Sequence, residues 1–133
     1  MPKDSASLTA ELKKLTQGLT YQSESDYPVK PLFIKGDGKR SLTATDVGEH
    51  SGKKPVKSVA FDEFFNPATS EEDWYGPEER EKAQRFQNLV KILKDNLTDI
   101  KVYKSGKVKM DVYVVGKTAD GDFAGVTTKV VET

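Results

Sequence analysis

The strongest periodic signal in the chain lies between Pro77 and Leu97. There Ala83, Phe86, Leu89, Val90, Leu93 and Leu97 recur three to four residues apart and make one apolar stripe. This spacing predicts a long helix. Pro77 suits its first position, and Glu78, Glu79 and Glu81 favour the positive end of its dipole. A second helix is predicted from a cap at Asp4 or Ser5 to about Gln17, with Leu8, Leu12 and Leu15 on one face and Gly18 placed to end it.

After Leu97 the period changes from helical to two. Residues 99–104 read as a strand that turns through Ser105-Gly106 into a second strand at 107–116. In that second strand Val108, Met110, Val112 and Val114 alternate with Lys107, Lys109, Asp111 and Tyr113, which predicts one buried and one wetter face. Ala119-Asp120-Gly121-Asp122 is a turn signal, and residues 123–131 return as a third strand. Earlier in the chain, residues 20–28 read as a polar loop and 31–35 as a short strand closed by Gly36-Asp37-Gly38. Residues 41–54 are ambiguous, since Thr43 or Thr45 can cap a short helix that Gly48, Gly52 and Pro55 oppose. Residues 56–61 read as a strand, 62–65 as a helical turn and 70–73 as the start of a short helical segment. An antiparallel meander covered by helices follows, so the expected class is α+β.

Composition narrows the function classes. The 133 residues fit one domain spanning residues 1–133. Lys+Arg and Asp+Glu both total 21, so no overall field is available to hold a nucleic acid or an anionic membrane. There is no cysteine, which removes disulfides and thiolate chemistry, and no stretch nears the roughly 20 apolar residues of a membrane span. The expectation is a cytoplasmic protein, monomeric when free, without direct nucleic-acid or membrane binding.

Candidate catalytic chemistry is thin. His50 is the single histidine, set in a Gly-rich polar stretch with no neighbour to share a metal or a proton relay, and reads as a loop side chain ahead of a catalytic base. Gly36-Asp37-Gly38-Lys39 lacks the spacing of a phosphate loop and reads as a turn. Asp120-Gly121-Asp122 lacks the further oxygen ligands of a calcium loop and reads as hairpin chemistry. The sequence calls for no enzyme activity, no cofactor and no metal of its own.

Charge is unevenly placed, however. Residues 62–81 hold eight acids against one base, Arg80, and within that run sits Asp73-Trp74-Tyr75-Gly76-Pro77. Trp74 is either a core side chain at a helix start or an anchor inside an acidic rim suited to a basic partner. Glu24, in the acidic segment 22–28, offers the same pair of readings: a solvated loop residue or a contact. A small enzyme using Glu24 and Asp26 as acid and base is a further rival, opposed by the lack of any accompanying nucleophile.

Several blocks resemble the cyanobacterial nuclease A inhibitor family: Ser23-Glu24-Ser25-Asp26-Tyr27-Pro28, Asp73-Trp74-Tyr75, Phe86-Gln87, Val102-Tyr103, residues 111–116 and the terminal residues 127–133. The match is in order along essentially the whole chain and is weakest over residues 35–55. The resemblance implies an α/β/α sandwich, PR-1-like, with a mostly antiparallel sheet. It implies a protein inhibitor bound one-to-one to a DNA/RNA non-specific endonuclease of the ββα-metal type. It also implies that Glu24, Trp74 and the terminal Thr133 meet the nuclease active site, with Asp26 and Tyr75 beside them. Glu24 and the Thr133 carboxylate would then face the partner's Mg²⁺ as stand-ins for substrate phosphate oxygens. The alternative is a non-enzymatic interaction domain with a different protein partner.

Overall fold

The computed structural model describes residues 4–22, 26–34 and 56–131. Helix α1 (Ser5–Thr16) is followed by β1 (Thr20–Gln22), β2 (Asp26–Pro28) and β3 (Lys30–Ile34). Then come β4 (Val56–Val59), α2 (Phe61–Thr69), α3 (Pro77–Asn96), β5 (Thr98–Ser105), β6 (Lys109–Lys117) and β7 (Phe123–Val131). The strands expected at 31–35, 56–61, 99–104, 107–116 and 123–131 are all present, with shifted ends, as β3 to β7, and they form one antiparallel sheet in the order β3-β7-β6-β5-β4. The class is α+β.

Alternation decides what each face of the sheet does. Val102, Met110, Val112, Val114, Ala124, Val126 and Val130 point to one face. Leu8 and Leu12 of α1, Phe64 and Phe65 of α2, and Phe86, Leu89 and Leu93 of α3 pack onto them. All three described helices therefore cover the same face. On the other face Leu32, Tyr103, Tyr113, Val115 and Phe123 form a smaller apolar cluster. Tyr113 is thus buried, contrary to the wetter face expected of it. The central strand β6 is apolar on both sides, and alternation read from one strand alone misses the second.

Other boundaries shift for local reasons. Val108 is 53% exposed rather than in the buried row, because β6 starts at Lys109 and Val108 belongs to the preceding turn. That turn needs Gly106, whose φ is +123° and where a Cβ would come within 2.8 Å of the Lys109 carbonyl oxygen. β4 ends at Val59, and Phe61 opens α2 instead of closing a strand. α2 continues well past the expected single turn, through the exposed Pro67, with the Thr69 and Ser70 hydroxyls donating to the Phe65 and Asn66 carbonyls at its end. Residues 70–72 are irregular and not a helix start, and Asp73-Trp74 form a turn closed by Tyr75 N–H donating to Glu72 O at 3.0 Å. Residues 20–28 are not simply a loop, since β1 and β2 pair antiparallel with Tyr21 opposite Tyr27. Residues 36–55, with the ambiguous segment, His50 and the Gly36–Lys39 turn, lie outside the described residues, as does Lys35.

α1 begins as expected. The Asp4 side chain accepts from Ser7 N–H at 2.8 Å, and Gly18 leaves the helix at φ +71°. Its first residue is also latched to the β6–β7 turn. The Ser5 N–H and hydroxyl both donate to Asp120, the Thr118 hydroxyl donates to Asp120 at 2.6 Å, and Ser5 Oγ lies 2.8 Å from Thr118 Oγ1. These hydroxyl bonds hold the Asp120 carboxyl down at about 2, below its usual 3.8. The turn is hairpin chemistry, closed by Thr118 N–H on Asp122 O at 2.8 Å and by Gly121 at φ +88°.

A carboxylate whose folded pKa is depressed stabilises the fold above its unfolded value and loses that contribution as pH falls through the folded value. Asp120→Asn should therefore be less stable than wild type at pH 7, and the gap should narrow as pH drops from about 4 towards 2. Denaturant titrations of both proteins across that range give the comparison. A gap that stays constant to pH 2 would show that the latch acts through shape alone.

Candidate functional site

α3 leads directly into β5, and the start of β5 pairs with the end of β6, Thr98 opposite Lys117. The N-terminus of α3 therefore lies at the other end of the sheet, where β6 begins and β7 finishes with Val131 opposite Lys109. The β1–β2 hairpin is fastened to that same region. Lys82 Nζ donates to Thr20 Oγ1 at 3.0 Å, and Thr128 Oγ1 donates to Pro28 O at 3.0 Å. Tyr21 stacks flat on Phe64 at 4.5 Å, meets Phe86 edge-on at 6.2 Å, and donates its hydroxyl to Phe64 O at 2.7 Å.

The segment between α2 and α3 carries the most exposed large apolar side chain described. Trp74 is 77% accessible, which removes the core reading. Its ring meets Tyr75 edge-on at 4.6 Å. The turn beneath it is braced rather than loose. Arg80 donates from Nε to Tyr75 O at 3.2 Å and from its terminal nitrogen to Glu72 O and Asp73 O, each at 3.4 Å. Gln84 Nε2 donates to Glu71 at 3.1 Å and Gln87 Nε2 to Thr69 O at 2.8 Å, so two more α3 side chains tie the segment down. The fixed fork of N–H donors on a guanidinium lets this one side chain gather three carbonyls.

A groove of about 350 Å³ opens beside Trp74, walled by Tyr21, Pro67, Tyr75 and Phe86, with Glu79 and Lys82 at its polar edge. A second groove, about 400 Å³, lies on the opposite face of the sheet between Tyr27, Lys30, Tyr113 and Lys129. Burial, and then the neighbouring Asp111 charge, push the Tyr113 phenol above its ordinary 10, so it stays neutral there. Lys109 Nζ stands 5.2 Å over the Tyr27 ring.

Asp26, Trp74 and Tyr75 thus fall at one end of the molecule, Asp26 exposed on β2 opposite Gln22. Glu24 and Thr133 lie outside the described residues. Their nearest described neighbours, Gln22, Asp26 and Val131, belong to the hairpin and to the end of β7 at this end. Sequence reasoning missed Tyr21, Glu79, Arg80 and Lys82 as site residues. The signal for Arg80 was available, since it is the lone base in an acidic run.

Trp74→Ala should leave stability within about 0.5 kcal/mol of wild type, whereas truncating a core aromatic costs about 3–5 kcal/mol. Arg80→Ala should free the turn without unfolding the chain. Trp74 is the only tryptophan, so its fluorescence anisotropy decay reports that change directly. Unaltered anisotropy in Arg80→Ala would mean that the other contacts hold the turn alone.

The model of a protein family described as NuiA: Nuclease A inhibitor-like protein matches residues 6–133. A comparison with curated proteins found no match. No helix among the described residues is long and apolar enough to cross a membrane.

Proposed function

The chain belongs to the nuclease A inhibitor-like protein family, and on that premise we propose that it inhibits a DNA/RNA non-specific endonuclease of the ββα-metal type by plugging its active site. The family assignment covers nearly the whole chain and supports a nuclease-inhibitor role in general. The single observation that carries the proposed site is Trp74, an exposed aromatic on a braced turn inside an acidic rim.

In this reading residues 1–133 act as one non-enzymatic domain in a one-to-one cytoplasmic complex, where an unchecked nuclease would meet the cell's own nucleic acids. Trp74 and Tyr75 supply the apolar area that the partner desolvates on docking. Glu24, Asp26 and the terminal carboxylate of Thr133 supply hard oxygen atoms. Such a nuclease grips phosphates with basic side chains and a divalent cation, and carboxylate oxygens suit both. With 21 basic and 21 acidic residues, the chain imitates the substrate only at this end.

Purified protein should suppress both DNA and RNA cleavage by a nuclease of that type at near-stoichiometric ratio. Full cleavage in the presence of molar excess would reject the inhibitor reading for that class and point to a different protein partner. Within an inhibiting pair, the carboxylates can be tested one at a time. Glu24→Gln keeps size and hydrogen bonding but removes charge, and a Gly added after Thr133 moves the terminal carboxylate. Each should weaken inhibition at least tenfold, about 1.4 kcal/mol. Single neutralisations at Glu71 or Glu72 should cost about 0–1 kcal/mol and act mainly on a salt-sensitive association rate. Wild-type inhibition by both carboxylate variants would leave the partner's metal out of the mechanism.

A further inference from the structure

We infer that the groove beside Trp74 is a receptor for one arginine side chain of the partner. The inference rests on the inhibitor reading and adds to it what the partner places there.

The argument begins with the walls. Trp74 and Tyr75 present an aromatic pair at 4.6 Å with rings at 89°, one edge against one face. Tyr21, Pro67 and Phe86 continue the apolar lining, and the space of about 350 Å³ is at the small end of ligand cavities. An aliphatic stem with a flat head matches such a slot better than a bulky ring does. The aromatic faces are the negative part of each ring's quadrupole, so the head they favour is a cation.

Charge points the same way. Between Ser70 and Lys82 there are six acids against two bases. The two bases already have work: Arg80 holds three backbone carbonyls and Lys82 holds Thr20 Oγ1. Asp62, earlier in the acidic run, is paired with Lys94 at 3.1 Å, whereas no ion pair within 4 Å involves Glu72, Asp73, Glu78 or Glu79 among the described residues. Glu79 lines the groove itself, and its Oε2 turns back over Gly76, where a Cβ would lie 3.0 Å from it. It faces a surface that is rigid before the partner arrives, since Arg80, Gln84 and Gln87 fix the segment from below. A guanidinium suits this set better than an ammonium, because it stacks on an aromatic face while donating in its plane to a carboxylate. Glu79 and the two rings offer that combination.

The test pairs the two sides of the complex. Against a nuclease that wild type inhibits, Glu79→Gln should weaken inhibition about tenfold, and thermal melts should match those of wild type. Asp62→Asn, at the far end of α2, should inhibit as wild type does. Against a panel of nuclease variants with each active-site-rim arginine replaced by alanine, one variant should abolish the difference between Glu79→Gln and wild type. Undiminished inhibition by Glu79→Gln overturns the inference while leaving the inhibitor role standing, and so does an equal loss against every variant. If a lysine variant instead removes the difference, the guanidinium assignment is overturned. Absence of inhibition by wild type defeats the inhibitor reading itself. The groove is then judged on the free protein, from Trp74 emission titrated with N-acetyl-arginine amide and its neutral citrulline analogue. A saturable change with the arginine compound alone supports the receptor, and equal responses or none overturn it.

Discussion

Tyr21 is the joint at which three separately coded parts of the chain meet. Its ring lies 5° from parallel on Phe64 of α2 and edge-on to Phe86 of α3, and its hydroxyl reaches the Phe64 carbonyl. A buried aromatic of this kind contributes through its area and through the geometry of its neighbours. Here the geometry matters more. A two-stranded hairpin is marginal in water on its own, and β1 and β2 contribute only three residues each. Pinned by Tyr21 below and by Thr128 beside Pro28, the hairpin instead has one position relative to α3 and to Trp74. Every contact proposed for this end of the molecule presupposes that fixed relation.

Much of the scaffold could be read from the sequence because its signals are local. α3 carries five of the six apolar stripe positions, with Leu97 capping its end, and β7 and most of β6 follow from alternation and turn chemistry. The pieces that escaped are those decided by tertiary contact. Three residues are too few to reveal a period, so β1 and β2 passed for loop; what makes them strands is Tyr21 in the core and Val29 N–H on Leu19 O at 2.8 Å. Only a helical turn at 62–65 was legible, yet α2 runs on through Pro67, because a proline on the outer side of a helix forfeits a bond that water can replace. Tyr113 is buried because Leu32 and Tyr103, which the period of β6 alone does not reveal, cover the second sheet face, whereas Val108 is exposed because it falls in the turn before β6. At the site, the acidic run and the tryptophan were legible as a composition, whereas the groove and the bracing by Arg80 arise only once the α2–α3 segment folds back along α3.

Crowding acids into one end of a small protein carries a cost in mutual repulsion. The fold limits that cost in two ways. Glu78 and Glu79 occupy the first turn of α3, where the unpaired N–H groups and the helix dipole favour negative charge. Arg80 then spends its donors on backbone carbonyls, leaving the carboxylates around it exposed and available. Lysines that balance the total are placed elsewhere, with Lys30, Lys109 and Lys129 around the opposite sheet face. Separation of charge within a neutral chain gives a local field that acts over about a Debye length of 8–10 Å, short enough to confine its effect to one end of the molecule.

β7 pairs with β6 on one side and with β3 on the other, and through Thr128 it also holds the hairpin from 101 residues away. The N-terminal helix, the hairpin and β3 consequently have no sheet to dock on until β7 exists. During synthesis α1, the hairpin and β3 must wait, with Leu8 and Leu12 uncovered, while α3 and the β5–β6 pair can assemble from near neighbours. Contacts between residues so far apart in sequence slow folding relative to a fold built from local contacts. The end of the molecule that carries the hairpin is completed in that final step, so the surface around Trp74 and the hairpin forms all at once and not by degrees.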